Sequence, residues 1–107
     1  MTRWEELRQL LRAPLITGAA MTQTEWFLMA KYEGLHIIPA ENVCRDFFPH
    51  LSRLKFLRKV DDGQIKLPLM RMEGSQKSAK GVDIRDLATY LDDRRSEAQR
   101  EYHLLHS

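Results

Sequence analysis

The chain has 107 residues, 43% of them hydrophobic and 30% charged, with a formal net charge of +2 and one cysteine. This size and balance describe one soluble globular domain with a small core; they exclude a disordered chain, and no apolar run approaches the roughly 18 to 20 residues that cross a bilayer. Cys44 has no partner for an internal disulfide, and acids and arginines break up the opening MTRWEELRQLLRAPL where a signal peptide needs an apolar run, so the expected compartment is the cytoplasm.

In chain order, Trp4, Leu7, Leu10 and Leu11 recur at helical spacing behind Thr2, a candidate N-cap, until Pro14 stops the helix. Residues 1–20 are read as a helical extension and linker, and the chain from Met21 onward as self-contained. TQTEWFLMAKYE (22–33) reads as a helix capped by Thr22 or Thr24 and ended by Gly34, with a strand as the alternative because of its aromatic content. HIIP is a strand stub closed by Pro39. AENVCRDFF (40–48) puts Val43, Cys44, Phe47 and Phe48 on one helical face, and Pro49 ends that helix. Ser52 caps the next helix, SRLKFLRKV. On a helical wheel its Leu54, Phe56, Leu57 and Val60 fall within an arc of about 160°, read as core, while Lys55, Arg58 and Lys59 lie opposite. Arg53 falls on the apolar side, where a long stem in the first turn can still reach solvent.

DDG (61–63) stops the helix, IKLPLMRM reads as a strand or edge segment around Pro68, and GSQKSAKG (74–81) is the long tip of a hairpin returning through Val82. Asp83 caps a last helix with Ile84, Leu87, Ala88 and Leu91 inward, continued by the mixed-charge tail of residues 96–107. The glycine-bracketed loop is not a phosphate-binding P-loop: Gly74 and Gly81 are too far apart, and Val82 follows where the motif needs Lys-Ser/Thr. His103 and His106 lie three apart with no third ligand, and read as frayed C-terminal residues rather than a metal site.

The charge is unevenly spread. Residues 45–80 carry nine basic side chains (Arg45, Arg53, Lys55, Arg58, Lys59, Lys66, Arg71, Lys77, Lys80) against four acids (Asp46, Asp61, Asp62, Glu73), while the flanks are slightly acidic. A basic centre between acidic flanks is the asymmetry that nucleic-acid binding produces. Two short helices joined by a tight turn, then a hairpin, then a helix, is the order of a winged helix-turn-helix, a mainly α fold with a small β-hairpin wing (α+β). Its second helix would present Lys55, Arg58 and Lys59, with Ser52 and Arg53 at its start, to the major groove. Ser75, Gln76, Lys77, Ser78 and Lys80 would form a wing on the backbone or minor groove, with Arg71 on the strand leading into it. Each basic group taken singly is equally well read as a solvated face; their order along the chain favours double-stranded DNA.

The pieces FLMAKYEG, IIPAENVCRDFFPHL and KFLRKVDDGQIKLPLMRMEGSQKSAKGVDIRDLATYLDDRR resemble the pyocin activator protein family, the PrtN-type regulators of bacteriocin genes. EGSQKSAKGV is the most distinctive of them, and residues 1–20 lie outside the resemblance. More loosely, residues 37–91 are similar to excisionase-like and MerR-like winged domains in Val43-Cys44, Arg58-Lys59, Gly63 with Ile65, Leu67-Pro68, Asp86-Leu87 and Tyr90-Leu91, although Gly63 and Pro68 stand farther apart than in the commonest excisionase pattern. The resemblance implies a sequence-specific transcriptional activator at bacteriocin promoters, switched on after DNA damage when a repressor of the activator is removed.

Activation needs a second surface, for which the N-terminal helix and the helix over 83–102 are candidates and RNA polymerase the expected partner. A homodimer or tandem sites would supply the base contacts that one module lacks, although no heptad repeat long enough to enforce a dimer is visible. One rival is an excisionase-like architectural protein that bends DNA. Another is a small protein-binding adaptor or antirepressor, supported by the aromatic stretch Trp26, Phe27 and Tyr32. No nucleophile–base pair or cofactor cradle is visible, so neither an enzyme nor a cofactor is expected.

Overall fold

The computed structural model describes residues 21–74 and 79–106. The expected helix over 2–12 and the loop residues Ser75, Gln76, Lys77 and Ser78 lie outside the described residues. In chain order the elements are α1 (Gln23–Lys31), β1 (Ile37–Pro39), α2 (Ala40–Phe47), α3 (Arg53–Asp61), β2 (Met70–Arg71), β3 (Lys80–Asp83) and α4 (Ile84–His106). The fold is mainly helical with a small three-stranded antiparallel sheet, an α+β helix-turn-helix with a wing.

Local chemistry accounts for most boundaries. Thr22 opens α1 with a reciprocal cap: its hydroxyl accepts the Glu25 N–H at 3.1 Å, and its own N–H donates to the Glu25 carboxylate at 3.3 Å. Helix therefore wins over strand in this aromatic stretch. Tyr32, expected beside Trp26 and Phe27 in an aromatic partner-binding stretch, instead turns into the core at 7% exposure and donates its hydroxyl to Asp46 at 2.7 Å. Four residues after Leu28, it shares that helix's inward face, whereas Trp26 and Phe27 face solvent. The Thr24 hydroxyl donates to Asp92 at 2.6 Å, tying α1 to α4.

Ser52 caps α3 as expected, its Oγ accepting the Lys55 N–H at 3.2 Å. At the other end Gly63 takes φ +77°, a left-handed conformation that costs a side-chain-bearing residue energy, and its N–H donates to the Val60 carbonyl. Asp83 accepts the Arg85 N–H at 2.8 Å and its guanidinium at 2.9 and 3.0 Å, so it closes β3 and opens α4 together. That guanidinium contact, then the backbone bond, holds the Asp83 carboxyl below the usual carboxylate range. Helix α4 runs unbroken to His106, so His103 and His106 are helical rather than frayed; both rings lie near Tyr102, at 5.8 and 4.5 Å.

The sheet order is β1-β3-β2. Ile38 of β1 pairs with Val82 of β3, and both are fully buried. The strand expected through IKLPLMRM shrinks to Met70–Arg71: Pro68 has no N–H to give a ladder, and the segment before it makes a tight turn, the Leu67 N–H meeting the Ile65 carbonyl at 2.9 Å. Gly81 sits where β1 crosses β3 closely, for a Cβ there would come within 2.5 Å of the Ile37 Cγ2.

The core joins every element but β2. Phe56 of α3 is wholly buried, its ring 5.0 Å from that of Phe48, with Val43, Cys44, Ile65, Leu67, Ile84 and Leu87 in the same cluster. Phe27 is 67% exposed. Phe56→Ala should therefore cost about 3–5 kcal/mol in urea unfolding, while Phe27→Ala should stay within about 0.5 kcal/mol of the parent.

Candidate nucleic-acid interface

Helix α3 carries the site because its core contacts leave one side free. Phe56 is its only fully buried side chain, Leu57 and Val60 are half-buried, and Lys55 and Arg58 stand in solvent with Lys59 half-exposed. Leu54, expected in the core with them, is instead 75% exposed. It lies at the far edge of the apolar arc, about 160° from Phe56 and only about 40° from Arg58, so rotation that seats Phe56 turns Leu54 outward.

The electrostatics of this helix are lopsided. Its last turn holds Arg58 and Lys59, where the negative end of the helix dipole favours cations. Its first turn holds Arg53 and Lys55 and no acid, which is the end where the dipole disfavours them. Arg53 is compensated from α2, 3.6 Å from the exposed Glu41 carboxylate. Lys55, Arg58, Lys59, Arg71 and Lys80 form no ion pair with another described residue. Arg45, the basic residue next along α2, is engaged by Asp46 at 3.0 Å. That contact, and the Tyr32 hydroxyl after it, hold the Asp46 carboxyl low; burial and the same carboxylate push the Tyr32 phenol up.

The wing repeats the pattern. Arg71 and Lys80 are direct cross-strand partners, so two cations share one position of the β2–β3 ladder. Like charges so placed repel in the free protein. Both line a cleft of about 300 Å³ with Val60, Asp61, Leu67, Pro68 and Leu69, which brings the base of the wing against the C-terminal end of α3. Asp61 is the one acid among the described residues that line that cleft. Thus Lys55, Arg58 and Lys59 share α3, Ser52 and Arg53 stand at its start, and Arg71 and Lys80 face its end. Lys66, counted in the basic stretch, lines a different groove, with Tyr90, Arg94 and Arg100.

Sequence reasoning missed the cross-strand placement of Arg71 and Lys80 and the exposure of Leu54. No count back from the expected loop 74–81 gives the first, because Lys80 lies inside that loop and its pairing with Arg71 is set by the sheet register. The extreme wheel position of Leu54 would have suggested the second.

The family model for pyocin activator protein PrtN matches residues 24–98. The chain belongs to the pyocin activator family. The matched segment runs from α1 into the middle of α4 and contains every candidate residue named above. Membership supports a transcriptional activator of pyocin genes. Neither a curated protein nor a solved structure matched the chain. Among the described residues no helix is long and apolar enough to cross a membrane.

Crowding of like charges in the wing has a measurable consequence. Lys80→Met keeps the aliphatic stem and removes the charge. It should raise the stability of the free protein by about 0.2–1 kcal/mol in low salt, a gain that shrinks in thermal melts as ionic strength rises.

Proposed function

We propose that the protein activates pyocin genes by binding their promoters directly, with α3 in the major groove and the wing on the adjacent backbone or minor groove. In this reading Arg58 and Lys55 meet base edges and phosphates, Ser52, Arg53 and Lys59 flank them, and Arg71, Lys80 and the loop Ser75, Gln76, Lys77 and Ser78 track the backbone. The observation that carries it is Lys55 in the acid-free first turn of α3, with no ion-pair partner among the described residues. Charge set against the helix dipole costs stability, and a phosphate at that end reverses the sign of the interaction. The role needs no enzymatic step and no cofactor, and the protein would act in the cytoplasm, alone on tandem sites or as a homodimer.

Activation also needs contact with RNA polymerase. Trp26 and Phe27, 60% and 67% exposed on α1, support that helix as the contact surface. The same two side chains are what favours the second reading, a protein-binding adaptor without DNA affinity.

Fluorescence anisotropy with a pyocin-promoter duplex and a scrambled duplex, titrated over several salt concentrations, separates the two readings. Promoter-selective binding with a steep salt slope is expected, and no binding at low salt would leave the adaptor. Arg58→Ala should lower specific affinity by roughly 1–3 kcal/mol while sparing the scrambled duplex; equal weakening on both would mean that it touches only phosphate. Lys77→Ala should reduce the salt slope by roughly one unit, and an unchanged slope would remove it from the interface.

A further inference from the structure

We infer that Leu54 reads a thymine methyl group, and so helps set which sequence the protein selects; this rests on the DNA-binding reading above. Three features of the structure lead there. Leu54 is 75% exposed, yet it is the only large apolar side chain on the outer side of α3, between cations on either side along the chain. It stands in the first turn of that helix, two residues after the Ser52 cap, and the N-terminal residues of a recognition helix are those that reach base edges. The core closes without it, since Phe56 is fully buried and Leu57 and Val60 complete the inward face.

A single exposed leucine is unremarkable on a surface that stays wet. On a surface that enters a groove it needs an apolar partner, or its neighbours lose water for nothing. The major-groove edges of the four base pairs offer one apolar group, the C5 methyl of thymine. Leu54 also stands four residues before Arg58, on one strip of the helix and about 6 Å along its axis. Base pairs follow one another every 3.4 Å or so. Arg58 donating to guanine O6 and N7 therefore implies a thymine one or two base pairs from that guanine.

Uracil differs from thymine only by the missing methyl, which makes it the probe. Starting from the shortest pyocin-promoter duplex that binds selectively, each thymine is replaced by uracil in turn and affinity is read by anisotropy. One replacement should weaken the parent protein about fourfold, the effect of one buried methyl-sized contact. Leu54→Ala should bind the thymine and uracil duplexes equally at that position, and Leu54→Met, which keeps an apolar side chain, should still tell them apart. Unchanged thermal melts of both variants confirm that the fold is intact. No uracil-sensitive position, or one that Leu54→Ala still senses, overturns the assignment while the DNA reading stands. Absence of promoter-selective binding by the parent protein overturns both.

Discussion

The seating of Phe56 determines what the rest of the molecule can present. Its ring lies against Phe48 at the end of α2, with Val43 and Cys44 in the same buried cluster. A helix of nine residues has little stability of its own and depends on such packing. Once Phe56 points inward, the rotation of α3 is decided: Val60 and Leu57 follow to the side of the core, and Leu54, Lys55 and Arg58 are carried to the other side. The cationic face is thus a consequence of one aromatic contact rather than of separate interactions at each lysine or arginine.

The wing is held in place by a second contact within the same core. Ile38 pairs with Val82, both buried, and Gly81 lets β1 and β3 approach at Ile37. A two-stranded hairpin alone is marginal in water, so a third strand and the packing of Val82 are what make a two-residue β2 sustainable. Arg71 and Lys80 then meet across the ladder because Met70 is in register with Gly81. Their juxtaposition follows from the β1 contact, although β1 lies more than thirty residues earlier in the chain.

Much of this was legible in the sequence, for local reasons. Thr22, Ser52, Gly63 and Asp83 act on backbone groups within a few residues, and each marks its boundary as expected. The apolar face of α2 needed only its period. What failed to show were consequences of rotation and of distant pairing. Leu54 belongs to the apolar arc by composition and to the outer face by geometry, because the arc is wider than the contact that Phe56 makes. Tyr32 resembles its exposed neighbours Trp26 and Phe27 until Asp46, fourteen residues on, is brought to its hydroxyl. The candidate site was legible as a list of basic residues, but not as an arrangement, since the pairing of Arg71 with Lys80 depends on sheet register.

That arrangement also separates the cations that the fold explains from those it does not. Arg45 and Arg85 sit beside carboxylates, and Arg58 and Lys59 occupy the end of α3 that favours positive charge. These four would be reasonable in a protein with no polyanion partner. Lys55 at the unfavourable end of the same helix, and Lys80 opposite Arg71, are not repaid in this way within the described residues. Selection for stability alone would tend to replace them, since surface charge optimisation is an easy route to a more stable chain. In the DNA-bound state proposed above, the phosphate backbone would supply the missing half of both interactions, one on the helix and one at the base of the wing.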